Sequence, residues 1–230
     1  MAELALDGSN PDVSLLRDIN GLAKDAPHWL DRVVEFVGEY GLILLMVLLA
    51  GWCWWRIARR SAADEAPAAV AGVVWSGLAA GIALLLNVPL RAFVERPRPF
   101  VDHDGLDVLI RGKSDFSFVS DHATLTMAVA VGLFLVSRKA GLLAIGVALL
   151  EGFCRVYMGV HYPTDVVGGF ALGTAVALLL APLAMMLLTP LAAAVGRSRA
   201  GWLVRGRPSP ASGDGIPYPE PSAYDKGLAA

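Results

Sequence analysis

The chain is short of charge and almost without cysteine. Only 17% of its 230 residues are Asp, Glu, Lys or Arg, while 56% are hydrophobic, and the mean hydropathy is +0.57. A water-soluble domain carries about 25% charged residues, so that class is excluded. No basic excess is present either. The formal net charge of -2 at pH 7 removes the electrostatic footprint of a nucleic-acid binder, and no such partner is expected. The two cysteines, Cys53 and Cys154, fall in different apolar regions. They supply neither a disulfide framework nor a zinc set and read as small apolar fillers. A cleavable signal peptide is not expected, because the first apolar run follows more than thirty residues rich in Asp and no small-residue cleavage pattern comes after it. Internal repeats are also missing.

What the chain has in quantity is long apolar runs. A helix of about 20 apolar residues spans the hydrocarbon of a bilayer. Five segments come near that length: Val33 to Ile57, Ala68 to Leu90, Ala123 to Val136, Gly141 to Phe153 and Val166 to Leu188. The third starts nearer Phe118 and the fourth extends toward Gly159. Both are short or interrupted by charge, so their polar ends are expected to face protein rather than lipid. The fold class is therefore an all-α, polytopic membrane helical bundle with five or six transmembrane helices.

Before the first run, Leu15, Leu16, Ile19, Leu22 and Ala23 recur at helical spacing. They suggest an amphipathic helix over Val13 to Leu30 lying in the membrane interface, with Pro27 breaking or ending it. After Gly196 the composition shifts to Arg197, Arg199, Arg205 and Arg207 and then to a tail rich in Pro, Gly and Ser. Such a tail has too little apolar content to fold and is expected to be disordered. The organisation is thus residues 1–32 as interfacial segment, 33–195 as membrane domain and 196–230 as tail.

Loop charge gives an orientation. Arg56, Arg59 and Arg60, then Arg138 and Lys139, then the four tail arginines share one side of a five-span chain, which the positive-inside rule makes cytoplasmic. The opposite side holds Arg91, Arg96, Arg98, Arg111 and Lys113, against that rule. Anion binding supplies a reason for them there.

Three clusters belong to that outer side: Arg91-Ala-Phe-Val-Glu-Arg96-Pro97-Arg98-Pro99, Phe118-Val119-Ser120-Asp121-His122, and Arg155 through His161 to Asp165. Together they offer guanidiniums, a hydroxyl, two imidazoles and carboxylates. That set suits phosphoryl transfer through a phosphohistidine. Cations neutralise the non-bridging oxygens, one imidazole attacks phosphorus, and the other protonates the departing oxygen. His161 and Asp165 are four apart, so on a helical turn the carboxylate could fix the tautomer of the imidazole.

The three motifs resemble those of the type 2 phosphatidic acid phosphatase superfamily: Lys-x6-Arg-Pro, Pro-Ser-Gly-His and Ser-Arg-x5-His-x3-Asp. Here they read Arg91-x6-Arg98-Pro99, Val119-Ser120-Asp121-His122 and Cys154-Arg155-x5-His161-x3-Asp165, with every spacing kept. The resemblance implies His161 as nucleophile, Asp165 as its partner and His122 as general acid. It implies Arg91, Arg98, Ser120 and Arg155 as phosphate ligands, with Asp121 also counted among the substrate-binding residues, and a reaction needing no metal or cofactor. Ser120-Asp121-His122-Ala123-Thr124, Arg96-Pro-Arg-Pro-Phe-Val-Asp-His103, Ile19-Asn20-Gly21-Leu22-Ala23 and Glu39-Tyr40-Gly41 are similar to the bacterial undecaprenyl-diphosphatase branch. That likeness implies a polyprenyl diphosphate lipid as substrate and recycling of the cell-wall lipid carrier on the outer face of the cytoplasmic membrane.

Three positions depart from the motifs. Arg91 stands for Lys, Val119 for Pro and Cys154 for Ser; the last loses a hydroxyl donor. Two other readings stay open beside the leading one: a phosphatase for another lipid, and a non-catalytic binder or transporter of anionic lipid. Elsewhere, His28 reads as an interfacial polar residue, Asp102-His103-Asp104 as a solvated loop near the diphosphate or as a cation site, and Arg96 as a surface charge or a further phosphate contact. Trp52, Trp54 and Trp55 read as an interfacial belt. Asn87 reads as a helix cap or a hydrogen bonder to a neighbour.

Overall fold

The computed structural model describes residues 10–56, 58–110, 112–204 and 206. Among these residues every regular element is helical: α1 (Pro11–Lys24), α2 (His28–Phe36), a π-helical turn (Val37–Gly41), α3 (Leu42–Arg56), α4 (Ala66–Val94), α5 (Pro99–Asp102), α6 (Asp121–Val136), α7 (Arg138–Tyr157), α8 (Pro163–Leu179) and α9 (Ala181–Gly196), with short 3-10 turns between and after them. Three stretches, His28–Arg56, Ala66–Asp102 and Arg138–Tyr157, are long and apolar enough to cross a membrane, and the bent pair α8 and α9 makes a fourth if counted as one. Fewer spans than the expected five or six meet that test, for two physical reasons. Helix α6 has 16 residues, about 24 Å at 1.5 Å per residue, short of the ~30 Å of hydrocarbon. The expected single run from Val166 to Leu188 is bent by 53° between α8 and α9. Pro182, in the first turn of α9, lacks the N–H that would continue α8, and its ring crowds the carbonyl one turn earlier.

Helix α6 is the hub. From Ala123 to Leu133 every residue but the half-buried Leu125 is buried, and the helix packs against α4, α7 and α8. A helix apolar all round belongs inside a bundle, and small residues set its distance from its neighbours. A Cβ on Gly132 would lie 2.5 Å from the Ser76 Cα of α4, and one on Gly173 of α8 would collide with the Thr124 carbonyl oxygen. The Trp75 indole N–H donates to the Ala177 carbonyl at 3.0 Å, tying α4 to α8.

Helix α1 lies on the bundle rather than apart from it. Val13, Leu16, Asn20 and Ala23 are buried against α7 and α8, while Leu15 and Leu22 stay exposed. The helix ends at Lys24, three residues before Pro27, which caps α2 instead. Two polar anchors hold α1. The Asn20 amide donates to the Asp107 and Tyr157 carbonyls, both at 2.8 Å, and accepts from the Asp107 N–H. The Asp12 carboxylate accepts from the Thr164 N–H at 2.9 Å and hydroxyl at 2.6 Å, and from Arg96 at 2.7 Å. Burial pushes the Asp12 carboxyl up, but those hydrogen bonds outweigh it and hold it below its usual 3.8.

The two ends of the bundle differ in charge. The starts of α4 and α7, the end of α9 and the 3-10 turn at Gly201–Leu203 gather at one end, where Val204 packs on Val70, Ala71 and Ala192. Arg59, Arg60, Arg138, Lys139 and Arg197 belong to these segments. Arg111, Arg205 and Arg207, with the tail from 207 to 230, lie outside the described residues. The tryptophans expected as one belt divide. Trp52 and Trp55 are exposed, but the Trp54 indole donates inward to the Leu203 carbonyl at 3.0 Å.

Two outcomes follow from this packing. Gly132→Val should destabilise the detergent-purified protein by about 1–3 kcal/mol, since the Ser76 backbone cannot yield, and thermal unfolding measures it. Asp12→Ala should lower the melting temperature and open the segment around Asp25 to protease, at a cost of about 1.5–3 kcal/mol for the lost charge-assisted bonds. An unchanged digestion pattern would show that α1 docks without Asp12.

Candidate active site

The end of α4, the loop from 95 to 120, the start of α6, the turn at 158–162 and the start of α8 meet at the end of the bundle opposite the basic loops. Three contacts bring the motif clusters together. The Ser120 N–H donates to the Asp165 carbonyl at 3.1 Å. The Asn87 amide, buried in α4, donates to the Val119 carbonyl at 3.0 Å and to Asp121 Oδ1 at 2.6 Å. The Ser120 side chain caps α6, where a short acceptor satisfies an otherwise orphaned N–H.

Arg91 and Arg98 meet on Asp115. Arg91 Nη1 lies 2.8 Å from Asp115 Oδ2 and its Nη2 lies 2.5 Å from Asp121 Oδ1. Arg98 Nη2 donates to Asp115 Oδ1 at 2.7 Å, its Nε to the Asp115 carbonyl at 3.0 Å and its Nη1 to the Val160 carbonyl at 2.9 Å. Burial raises the Asp115 carboxyl, yet the bond and charge of Arg98 leave it below 3.8. Asp121, expected among the substrate-binding residues, is here a partner of Arg91.

His161 is 3% exposed. Its Nδ1 lies 3.0 Å from the Ser117 carbonyl and 3.6 Å from Asp165 Oδ2, and its Nε2 lies 3.4 Å from Arg98 Nη1. A carbonyl can only accept, so Nδ1 carries the proton and Nε2 presents its lone pair beside a cation. Burial lowers the His161 pKa from 6.5; the Asp165 hydrogen bond and charge oppose this, and the charges of Arg98 and Arg155 add to it. The four-residue spacing does bring Asp165 beside the ring, but the Ser117 carbonyl is the nearer partner. Asp165 is wholly buried, with Oδ1 accepting from Arg96 at 2.8 Å and Oδ2 from the Tyr162 N–H at 2.9 Å. Arg96 also stacks 3.7 Å over the Tyr162 ring. It is thus not a bare surface charge; it joins α1 to Asp165.

His122 is linked to Arg155 by Glu39. Glu39 Oε2 lies 2.9 Å from Arg155 Nη1 and 3.9 Å from His122 Nε2, and Glu39 Oε1 lies 3.4 Å from Lys113 Nζ. Arg155 is wholly buried. Its Nη2 donates to the Gly38 carbonyl and its Nε lies 3.0 Å from Glu151 Oε1, one turn earlier on α7. All eight expected site residues therefore belong to this end of the bundle. The Asp102-His103-Asp104 stretch is built otherwise. Asp102 and Asp104 are exposed, and the His103 ring stands edge-on to Tyr162 with centroids 5.9 Å apart.

Sequence reasoning did not assign Asp115, Ser117, Glu151 or Asp12 to the site, and it noted Glu39 only within Glu39-Tyr40-Gly41. Glu151 had a readable signal: an acid inside an apolar run, four residues before Arg155, is an i, i+4 ion pair. Ser117 had none, because it acts through its backbone. Asp115 had none either, because its partners are set by loop geometry.

Comparison with known proteins agrees with this arrangement. The family profile described as PAP2 superfamily matches residues 72–199. The chain is 32% identical over 140 residues to Undecaprenyl-diphosphatase BcrC of Bacillus subtilis (strain 168), covering 60% of this chain and 67% of that one. It is 30% identical over 167 residues to Putative undecaprenyl-diphosphatase YbjG of Escherichia coli (strain K12), covering 71% and 78%. Among solved structures, the transmembrane PAP2 type phosphatidylglycerolphosphate phosphatase of Bacillus subtilis superposes with a TM-score of 0.53 at 26% identity, over 80% of this chain and 92% of that one. With its apolar helices, its enclosed α6 and the three motif clusters at one end, the chain belongs to the PAP2 superfamily and is an integral membrane phosphatase of that family.

Proposed function

We propose that the chain removes the terminal phosphate of a long polyprenyl diphosphate, of the undecaprenyl type, through a phosphohistidine on His161. The arrangement of that imidazole carries the reading. Its Nδ1 proton is committed to the Ser117 carbonyl and its Nε2 faces Arg98 at 3.4 Å. A lone pair so held is aimed at an atom whose oxygens the guanidinium can grip. In the first step Nε2 bonds to the terminal phosphorus and the bridging P–O bond breaks. His122 gives its proton to the departing lipid monophosphate. In the second step water, deprotonated by His122, attacks the phosphohistidine, and inorganic phosphate leaves. Asp165 and Ser117 steady the imidazole as it gains charge. Arg91, Arg98, Ser120 and Arg155 hold the phosphate oxygens, and with these cations the reaction needs no metal.

The substrate is argued from the relatives named undecaprenyl-diphosphatase and from the shared Ser120-Asp121-His122 variant. A second reading has its own support: a lipid monophosphate. Decaprenylphosphoryl-5-phosphoribose phosphatase of Mycobacterium tuberculosis (strain ATCC 25618 / H37Rv) is 38% identical over 102 residues, though over only 44% of this chain and 55% of that one. Counting α6 as a short enclosed span and α8 with α9 as one bent span gives five crossings. By the positive-inside rule the site then opens outward from a bacterial cytoplasmic membrane. In that position a scissile phosphate sits at headgroup level with its tail in lipid.

Purified protein in detergent with EDTA should release phosphate from undecaprenyl diphosphate faster than from phosphatidylglycerol phosphate or phosphatidic acid. Activity appearing only after metal is added back would overturn the mechanism, and faster turnover of a monophosphate would transfer the assignment to the second reading. His161→Ala should lower kcat by about 10⁴-fold or more with melting unchanged. The reactive imidazole is neutral, and burial moves its pKa down, so the nucleophile stays competent as pH falls until protons reach it. The acid limb of kcat/KM should therefore lie below the ordinary histidine value of 6.5; a limb above that value would contradict the burial argument.

A further inference from the structure

Arg155 is a phosphate ligand in the proposed mechanism, yet both of its terminal nitrogens are already engaged. Nη1 meets Glu39 at 2.9 Å and Nη2 donates to the Gly38 carbonyl, while Nε lies 3.0 Å from Glu151 Oε1 without hydrogen-bond geometry. One guanidinium thus faces two carboxylates. A phosphate approaching Nη1 finds the Glu39 carboxylate already there and is repelled unless that carboxylate withdraws.

The three partners differ in freedom. Glu151 is wholly buried and sits on the same helix as Arg155. The Gly38 carbonyl is backbone, and it cannot retreat on its own. A Cβ at Gly38 would lie 2.9 Å from Cys154 Cβ, so this turn of helix already presses on α7. Only Glu39 has open space beside its side chain. Its side chain is 21% exposed, and it borders a cavity of about 400 Å³ whose lining includes Arg32, Glu35, Tyr40 and Lys113. The π-helical turn Val37–Gly41 that carries it widens the helix by one residue and aims the Gly38 carbonyl and the Glu39 carboxylate at the same guanidinium.

The groups around Glu39 are those a phosphate would seek: Arg155, Lys113 at 3.4 Å and the His122 ring at 3.9 Å. We infer that the Glu39 carboxylate is an internal stand-in for the substrate phosphate, displaced from Arg155 when the phosphate binds, so that Glu39 sets how much negative charge a ligand needs to enter the site. Displaced, the carboxylate turns into the cavity, where the two cations Arg32 and Lys113 outnumber the one other carboxylate, Glu35. A dianionic phosphate outcompetes a single carboxylate for the guanidinium, whereas a weakly charged headgroup does not. This inference rests on the phosphatase reading for its substrate.

The test is inorganic phosphate binding to detergent-purified protein, followed through the phosphate dependence of the melting temperature, for wild type and Glu39→Gln. The substituted amide keeps the size and an acceptor oxygen but loses the charge. The expected result is phosphate affinity about tenfold tighter, in the range of ordinary coupling between two ligands for one site, with a lower KM for undecaprenyl diphosphate. Glu39→Asp, one methylene short of Arg155, should move affinity the same way. Unchanged or weaker phosphate binding in a folded variant would overturn the inference, because a merely structural carboxylate would misplace Arg155 when lost. Failure of both variants to fold would overturn it too, by making Glu39 a structural residue. Absence of lipid hydrolysis by the wild type would refute the phosphatase reading instead, while the binding comparison would still decide the role of Glu39.

Discussion

Neutralising buried guanidiniums is the constraint on which the structure depends. A cation removed from water is costly unless it is paired and hydrogen-bonded. Arg98 and Arg155 are buried, and Arg91 and Arg96 are largely so. Each meets carboxylates drawn from distant parts of the chain: Arg91 and Arg98 share Asp115, Arg96 bridges Asp12 and Asp165, and Arg155 lies between Glu39 and Glu151. These pairs determine where the loop from 95 to 120 runs and where α1 docks. Phosphate chemistry needs the cations, and the fold in turn needs the acids that make the cations tolerable.

The apolar bundle supplies the rigidity that such pairing requires. Helix α6 is clamped by α4, α7 and α8 at distances only glycine allows, with Gly132 against Ser76 and Gly173 against the Thr124 carbonyl. Its N-terminus therefore has little freedom. Ser120 caps it, the Ser120 N–H reaches the Asp165 carbonyl, and Asn87 holds the turn from behind. His122 and the start of α8 are positioned by packing many residues away from either imidazole.

Within that frame the two imidazoles have different surroundings. His161 is enclosed, its tautomer set by the Ser117 carbonyl and its Nε2 placed beside Arg98. His122 stands at a partly open wall near the Glu39 carboxylate and Lys113. In the proposed mechanism the first environment serves a neutral nucleophile and the second a group that passes protons to and from substrate and water.

Much of this was legible in the residue order. The apolar runs gave the helical class because hydrocarbon demands backbone hydrogen bonds within each segment. The motif spacings marked His122, His161, Asp165 and the arginines, and the loop charges distinguished the two ends. The break at Pro182 was in principle readable, since proline cannot continue a helix, but the apolar run concealed it. Residue order could not show that Ser117 orients His161 through a carbonyl, that Asp115 joins two arginines, or that α1 closes on Asp165 through Arg96. Backbone acceptors leave no trace in side-chain identity, and ion pairs between segments as much as 116 residues apart depend on how helices cross. Sequence by itself determined which groups the protein owns and which stretches must be helices. Tertiary structure alone decided which carboxylate meets which cation, because a buried charge takes whatever partner the packing brings within reach.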